Sequence, residues 1–205
     1  MSKLMMVRIG GWLFTQRTWL PLPIVLAILL IPAGGMPASV AAAGALGVTA
    51  GELTRLWGVS HIGAISRTRS DRLGPLVSTG PFARVRNPLY LGNLFIWAGF
   101  ALSANLLWLV PVIVVLVGLE YHAIVRWEET LLEARLGDSY RDYMRRVPRW
   151  LPSGGSERTR PTRQTPGQTV GAPFSLSETL FSERGTLIAI AAGYVLLFLK
   201  ARASP

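Results

Sequence analysis

Residues 87–119 read NPLYLGNLFIWAGFALSANLLWLVPVIVVLVGL, a run of 33 residues without a charged side chain. A transmembrane helix needs about 20 apolar residues, so this run is too long for a single span. Its polar break, Ser103-Ala-Asn105, lies near the middle. We therefore predict a helical hairpin with spans near 88–104 and 105–125.

A second uncharged run, residues 18–51, is 34 residues long and has a similar interruption. The sequence Pro32-Ala-Gly-Gly-Met-Pro37 is rich in turn-forming residues, which predicts spans near 18–34 and 37–58. A shorter uncharged run near 185–200 is a candidate fifth span. The predicted fold class is an all-α, polytopic membrane bundle of four to five spans, with amphipathic helices on the cytoplasmic side.

The composition suits a membrane protein and excludes several other classes. Half of the residues are hydrophobic, 16% are charged and none is cysteine. The chain therefore has no disulfide framework, thiolate zinc site or cysteine nucleophile, and its apolar content excludes disorder along its whole length. The net charge of +10 suggests nucleic-acid binding. No RNA-binding aromatic signature accompanies the arginines, so we predict no nucleic-acid partner.

The basic residues instead mark one side of a membrane. They lie before the first predicted span, between the second and third, and after the fourth, whereas neither hairpin turn carries any. The positive-inside rule then places the N-terminus, the loop 59–87 and the segment 126–184 in the cytoplasm. We expect a multi-pass protein of a bacterial inner membrane with a cytoplasmic active site. The basic start also resembles a signal peptide, but an uncharged helix follows it rather than a secreted domain.

The second predicted span carries a packing motif and two ionisable residues. Ala43, Gly47 and Gly51 recur at four-residue spacing, which predicts a face that another helix approaches closely. Glu52 and Arg55 follow one turn apart, near the cytoplasmic end. The two residues could form an ion pair or extend to the membrane interface, and an ionisable residue at this depth could also line a cavity.

Two further patterns follow the fourth span. Residues 141–149 alternate apolar and basic side chains, which predicts an amphipathic helix suited to an anionic membrane surface. Pro148 and Pro152 end it. Residues 153–173 are rich in Ser, Gly, Thr, Arg, Pro and Gln, which indicates a flexible linker.

In the loop before the third span, turn-forming residues precede the predicted start of a helix. These residues are Gly74, Pro75, Gly80 and Pro81. Asn87 fits an N-cap and Pro88 the first helical position, so Tyr90 and Gly92 fall on the first turn, where a helix favours a negative ligand group. An ordinary capped membrane helix with interfacial Tyr and Arg explains the same residues.

A second polar stretch, residues 126–140, follows the fourth span. Glu128 and Glu129 lie there on a helix that Gly137 ends and Asp138 restarts. The two carboxylates either neutralise the surrounding arginines or bind a cationic or hydroxyl-rich ligand. The histidines, His61 and His122, are expected to be structural, and two histidines without cysteine predict no metal site.

These two stretches carry a family resemblance. Arg86-Asn-Pro-Leu-Tyr-Leu-Gly92 and the pattern Glu128-Glu129, Leu136-Gly-Asp-Ser-Tyr140 and Val147-Pro148 closely resemble the integral-membrane methyltransferases. This superfamily includes the isoprenylcysteine carboxyl methyltransferases and the phospholipid N-methyltransferases. The resemblance covers roughly residues 60–152, including the order and spacing of the motifs.

The resemblance implies a polytopic enzyme that binds S-adenosylmethionine on its cytoplasmic side and takes a lipophilic acceptor from among the membrane lipids. The residues that it assigns to the cofactor are Gly74, Pro75, Leu76, Val77, Phe82, Arg86, Asn87, Pro88, Leu89, Tyr90, Gly92, Glu128 and Glu129. The family's substrate-facing arginine precedes its acidic cluster. Arg126 is the nearest match here, at altered spacing, and is our candidate catalytic residue.

One position departs from the family pattern. The usual histidine of the first motif is Asn87 here. An amide donates and accepts hydrogen bonds but does not titrate near neutral pH. A carboxylate acceptor is already ionised, whereas an amine acceptor must lose a proton. Asn87 therefore favours an anionic acceptor and chemistry resembling carboxyl O-methylation.

The sequence thus divides into four regions. They are an N-terminal transmembrane hairpin (1–58), a methyltransferase core with the second hairpin and the cytoplasmic helices (59–152), a flexible linker (153–184), and a candidate fifth transmembrane helix with a tail (185–205).

Two other functions fit parts of the sequence. A membrane reductase of the sterol type shares part of this architecture, but it uses a nicotinamide cofactor and is expected to have more spans. A non-enzymatic scaffold or small transporter makes no demand on Asn87, Tyr90 or Glu128. A transporter of the repeat type also needs a second matching half, and none is evident.

Overall fold

The computed structural model describes residues 3–32, 34–35, 37–62, 76–152 and 175–203. Within these residues the chain is all-helical, as predicted, and contains no β-strand. The helices are α1 (Lys3–Gln16), α2 (Leu22–Leu30), α3 (Ala38–Ile62), α4 (Pro88–Ser103), α5 (Leu109–Leu136), α6 (Asp138–Arg146) and α7 (Leu176–Ala203), with a short 3-10 helix at Gly80–Ala83.

Helices α3 and α4 pack closely and antiparallel because glycines line their contact. A Cβ atom added to Gly51 would lie 2.5 Å from the carbonyl oxygen of Gly92. The close approach predicted for this face is confirmed at Gly47 and Gly51, but Ala43 is exposed and Gly44 takes its place. An α-helix has about 3.6 residues per turn, so alternating steps of three and four keep the glycines on one face.

The hairpin predicted from residues 87–119 is present as α4 and α5. They are joined by a turn in which Asn105 has a φ of 57°. Helix α5 continues beyond the span predicted near 105–125 and ends at Leu136, before Gly137 with a φ of 56°. Glu128 and Glu129 therefore lie on the same helix as the predicted fourth span.

The first predicted span, residues 18–34, is not one continuous helix. Only Leu22–Leu30 is helical, and its nine residues extend about 13 Å at 1.5 Å per residue. Pro21 and Pro23 fit the start of this helix, whereas Pro32 does not continue it. A helix of this length alone does not cross a hydrocarbon core of about 30 Å.

The segment around α2 nevertheless runs from one end of the bundle to the other. At one end, Arg17 interacts electrostatically with Glu128. At the other end, the side-chain amide of Asn105 donates hydrogen bonds of 3.2 Å to the carbonyls of Gly34 and Gly35. The turn residues 17–21 before α2 and the non-helical residues 31–32 and 34–35 after it thus supply the length that the short helix lacks.

Helix α1 was not predicted from the sequence and packs along α5. The ring centroids of Phe14 and Trp127 are 4.8 Å apart. Gly10 lies directly against the backbone of Ala123, where a Cβ would clash. These contacts hold the N-terminal helix beside the part of α5 that leads to the acidic pair.

Helix α7 is longer than the predicted fifth span. It begins at Leu176, so residues 176–184, which we assigned to the linker, are helical. Gly193 lies against the ring of Phe100, and the rings of Phe100 and Tyr194 have centroids 5.1 Å apart. The region predicted near 185–200 is therefore the later part of a helix that also packs on α4.

Among the described helices, α5 and α7 are long and apolar enough to cross a membrane, and α4 is a shorter apolar helix. Large apolar side chains cover the outward face of α7. Ile188, Val195 and Phe198 are each more than half exposed. A continuous apolar surface of this kind is typical of contact with lipid rather than water.

Candidate cofactor-binding site

Tyr90 and Glu128, singled out from separate motifs, meet at one end of the bundle. Pro88 starts α4 and places Tyr90 on its first turn. The Tyr90 hydroxyl donates a hydrogen bond of 3.0 Å to Oε1 of Glu128. The ring of Tyr121 supports Tyr90 at a centroid distance of 4.8 Å, and Arg17 interacts electrostatically with both partners. A carboxylate has several acceptor positions, so Glu128 can also accept hydrogen bonds from hydroxyl or ammonium groups of a ligand.

The neighbouring carboxylate, Glu129, is engaged within the protein. Its Oε1 lies 3.0 Å from Nη2 of Arg86, and its Oε2 lies 2.6 Å from Nη2 of Arg149. Glu129 is 7% exposed. In the structure, Arg86 and Glu129 thus belong to one buried ion-pair network, and their contact with a cofactor stays a prediction. Arg149 was not predicted, because no local pattern links it to a carboxylate twenty positions earlier.

Residues 147–150, called the strap here, lie across the start of α4. The backbone N–H of Arg86 donates a hydrogen bond of 2.9 Å to the carbonyl of Pro148. The side-chain amide of Asn87 donates one of 3.2 Å to the carbonyl of Arg149. Asn87 does occupy the predicted N-cap position, but its side chain makes no capping hydrogen bond. It holds the strap instead.

Both histidines contact other parts of the chain in ways that fit the structural roles expected for them. The indole N–H of Trp150 lies 3.3 Å from Nδ1 of His122 and donates to it. His61 lies with Nδ1 2.9 Å from the carbonyl oxygen of Trp57. Its ring also packs against Gly80, whose φ is 57°.

The loop residues assigned to the cofactor are only partly described. Gly74 and Pro75 lie outside the described residues. Leu76 and Phe82 are each 8% exposed, and Val77 is half-buried. The loop is therefore packed into the protein where it approaches the start of α4.

Helix α6 covers this loop with the apolar face that we expected on a lipid surface. Tyr140 and Tyr143 are each 3% exposed and cluster with Leu76, and the Tyr143 hydroxyl donates a hydrogen bond of 2.8 Å to the carbonyl of Phe82. Burial raises the pKa of both tyrosines above the ordinary value of 10.0. The amphipathic pattern is present, from Asp138 to Arg146 rather than over 141–149, but its apolar face contacts protein.

The remaining predicted residues at the start of α4 take part in helix packing. Pro88 is fully buried, and Leu89 packs against Gly58. Gly92, which we expected to admit the cofactor, is covered by Arg55. A Cβ atom there would lie 2.6 Å from Cγ of the arginine. The missing side chain of Gly92 thus makes room for α3.

Arg126, the candidate catalytic residue, is half-buried on α5, one turn after His122. None of the ion pairs seen among the described residues involves its guanidinium. Its charge acts electrostatically on His122. A half-buried cation of this kind is suited to attract an anionic group.

The principal ion pair of Arg55 was not predicted. Nη2 of Arg55 lies 2.7 Å from Oε2 of Glu183 on α7, and Nη1 donates a hydrogen bond of 2.6 Å to Oδ1 of Asn93. The pair with Glu52 considered from the sequence is looser, at 3.8 Å. Glu183 lies 128 positions after Arg55, so only the tertiary structure reveals the contact.

Comparison with known proteins identifies the family of this region. Residues 40–139 match the family model of phospholipid methyltransferases. The nickel-cobalt-cadmium resistance protein NccN of Alcaligenes xylosoxydans xylosoxydans is 32% identical over 109 residues, which cover 53% of this chain and 48% of that protein. The cobalt-zinc-cadmium resistance protein CzcN of Cupriavidus metallidurans is 29% identical over 109 residues, covering 53% and 47%. The chain thus spans about half the length of these curated relatives.

No solved structure matches the chain. The family match begins within α3 and ends just after α5, so it contains Tyr90 and Glu128 but neither the strap nor α7. The match identifies residues 40–139 as a phospholipid methyltransferase domain of the integral-membrane methyltransferase superfamily.

Proposed function

We propose that this protein transfers the methyl group of S-adenosylmethionine to a lipophilic acceptor drawn from the bilayer, in the manner of isoprenylcysteine carboxyl O-methyltransferases. One observation carries the proposal. The hydrogen bond between Tyr90 and Glu128 joins the two motifs of the family domain at a single place. The names of the relatives describe metal resistance and do not specify a methyl acceptor.

We further propose that the chain crosses the membrane five times, with the N-terminus and this site in the cytoplasm. The segment around α2, then α3, α4, α5 and α7, would each traverse the bilayer. The arginine-rich helix α6 and Arg149 of the strap lie at the site end, which agrees with the positive-inside rule. The outward apolar side chains of α7 support its contact with lipid.

The residues present fit such a cofactor. S-adenosylmethionine supplies an electrophilic methyl group on a sulfonium sulfur and also carries hydroxyl and ammonium groups. Glu128 would accept hydrogen bonds from such donor groups, while Tyr90 orients its carboxylate. Arg126 would attract an anionic acceptor. The protein's main contribution is to align the reacting groups and to exclude water.

The environment of Asn87 supports an acceptor that is already ionised. Its side chain is committed to the carbonyl of Arg149 and has no titratable group. The structure therefore offers no base at this position, and an acceptor that arrives as a carboxylate requires none.

The test is calorimetric titration of S-adenosylmethionine into the purified protein in detergent and in lipid nanodiscs. Glu128→Gln keeps the size of the side chain but removes its charge. Hydrogen bonds to charged groups contribute about 1.5–3 kcal/mol, so we expect binding to weaken by roughly tenfold or more. Glu133→Gln, on the same helix but 40% exposed and paired with Arg141, is the matched control and should bind normally.

Absence of S-adenosylmethionine binding by folded wild-type protein, in detergent and in lipid, would refute the proposal. NADPH is titrated in parallel, and a saturable signal with NADPH alone would favour the reductase. Specific binding that Glu128→Gln weakens as expected would justify a search with labelled methyl groups for the acceptor among membrane lipids.

A further inference from the structure

A second buried polar cluster lies between α3, α4 and α7, and Tyr121, which packs on Tyr90, interacts electrostatically with its Arg55. Arg55 is at its centre and uses all of its nitrogen atoms. Nε and Nη2 donate to the carboxylate of Glu183 over 3.0 and 2.7 Å, Nη1 donates to Asn93 over 2.6 Å, and Nη2 also donates to Oγ1 of Thr186 over 3.2 Å. The guanidinium is therefore fully engaged without Glu52.

Glu52 faces this cluster with an unsatisfied carboxyl group. The residue is 7% exposed, and among the described residues neither side-chain oxygen has a hydrogen-bond partner. The nearest cation, Nε of Arg55, is 3.8 Å away, which is too long for a hydrogen bond. Buried polar groups are nearly always hydrogen-bonded, so the partner of Glu52 is expected to come from outside the described chain.

The charge of the cluster indicates the chemistry of that partner. Glu52 and Glu183 together carry two negative charges when ionised, and Arg55 carries one positive charge. A water molecule can donate hydrogen bonds to Glu52, but it cannot neutralise the remaining charge. A ligand that is cationic and carries N–H groups does both, because it pairs the charge and satisfies the carboxylate.

The position of the cluster indicates how such a ligand arrives. The side chain of Arg55 lies over Gly92, four residues into α4, which is about 6 Å from the start of that helix at 1.5 Å per residue. In the proposed topology this is just below the cytoplasmic surface of the hydrocarbon core. The polar end of an amphiphile reaches this depth while its chain stays in lipid.

We propose that Glu52, Arg55 and Glu183 form a binding site for the ammonium group of a membrane-partitioned amphiphile, with Glu52 accepting its N–H hydrogen bonds. Helix α7 completes this site through Glu183, which lies outside the family domain at residues 40–139. The site goes beyond the proposed methyl transfer and does not depend on it.

The experiment uses the full chain in nanodiscs of phosphatidylcholine, whose headgroup has no N–H. Dodecylammonium is titrated calorimetrically with subtraction of empty nanodiscs, and dodecyltrimethylammonium, which keeps the charge without N–H, is the matched probe. We expect saturable binding of dodecylammonium that is about tenfold or more tighter than binding of the trimethyl probe, since hydrogen bonds to a charged group distinguish the two.

Variants then test the assignment to Glu52. Glu52→Gln should lose the preference for dodecylammonium, whereas Glu133→Gln should retain it. The thermal unfolding midpoint of each variant in the same nanodiscs shows whether it is folded, whether or not the protein binds S-adenosylmethionine. Replacing part of the phosphatidylcholine with phosphatidylethanolamine identifies the source. Weaker dodecylammonium binding there assigns the site to a lipid headgroup, and unchanged binding assigns it to a free amphiphile.

Two results would overturn the proposal. One is equal affinity of wild-type protein for the two probes, a test that requires no variant. The other is a Glu52→Gln protein that still prefers dodecylammonium. Either result would leave Glu52 as a buried carboxyl group with no role in binding.

Discussion

Glu129 receives guanidinium groups from two distant parts of the chain, Arg86 before α4 and Arg149 in the strap. A single buried carboxylate shared by two cations fixes their relative positions. These ion pairs hold the end of α5 in place, and the neighbouring Glu128 contacts Tyr90 from the same helix. At the residue scale, Glu129 supports the structure, whereas Glu128 is the residue that we propose contacts the cofactor.

Loss of the Glu129 carboxylate should destabilise the protein strongly. Glu129→Ala leaves two largely buried guanidinium groups without their partner, and breaking a buried ion pair in this way costs about 3–5 kcal/mol. We expect a clear fall in the thermal unfolding midpoint in detergent. Arg145→Ala, which removes a surface pair with Asp142 at 3.2 Å, is the control and should leave the midpoint nearly unchanged. Equal midpoints for the two variants would contradict the role given to Glu129.

Residue-level prediction from the sequence succeeded where the motif was local and failed where the partner was distant. The sequence indicated Tyr90 and Glu128, and the structure brings them together, although their contact with cofactor stays a prediction. It did not indicate that Glu183 pairs with Arg55, because no spacing rule connects side chains on helices far apart in the chain. Gly92 was interpreted as room for a ligand, whereas Arg55 fills that space.

At the scale of elements, the α3–α4 contact depends on glycine. A Cβ at Gly51 would lie 2.5 Å from a backbone carbonyl of α4, and backbone does not move aside easily. Gly51→Ala should therefore force the two helices apart and lower the unfolding midpoint. Gly118→Ala, in α5 with nothing within 4 Å of the new Cβ, should leave the midpoint unchanged or raise it, since alanine favours the helix by about 1 kcal/mol. A tolerated Gly51→Ala would show that this contact is not close-packed.

The docking of α6 should weaken in alkali. Burial raises the pKa of Tyr140 and Tyr143 above the ordinary 10.0, so above pH 10 the unfolded chain releases these protons more readily than the folded protein does. Stability contributed by the buried phenols is thus complete below pH 10 and declines as the pH rises beyond it. Unfolding midpoints measured from pH 8 upward should fall less steeply for Tyr140→Phe than for the wild type. A parallel decline in both proteins would contradict this account.

The helices, like the single residues, were predicted correctly where local sequence determines them and incorrectly where other information is needed. The absence of charge over residues 87–119 was enough to predict the α4–α5 hairpin. The uncharged run at residues 18–51 did not reveal that the first candidate span is helical only over Leu22–Leu30. Hydropathy treats this span as continuous, whereas its prolines limit the helix. The polar start of α7 was assigned to the linker because it precedes the uncharged run near 185–200, and the pairing of its Glu183 with Arg55 becomes visible in the tertiary structure.

At the scale of the whole molecule, α7 should end on the side of the membrane opposite the cofactor site. Its Glu183 meets Arg55 near that site, whereas its Tyr194 hydroxyl lies 3.3 Å from Oγ of Ser103, close to the α4–α5 turn. The natural chain contains no cysteine, so single introduced cysteines report position without background. In intact spheroplasts, a membrane-impermeant maleimide should label Leu107→Cys and Ala203→Cys, and it should label Thr79→Cys only after lysis. Labelling of Ala203→Cys and Thr79→Cys under the same conditions would contradict five crossings.

The strap also has a consequence for the order in which the protein is assembled. During synthesis, α4 and α5 emerge before residues 147–150, so the hairpin exists for a time while Arg86, Asn87 and Glu129 still await the groups that the strap provides. A nascent chain that reaches only residue 146 lacks both the Pro148 carbonyl and the Arg149 guanidinium. These contacts therefore form late, only after residues 147–150 have left the ribosomal exit tunnel.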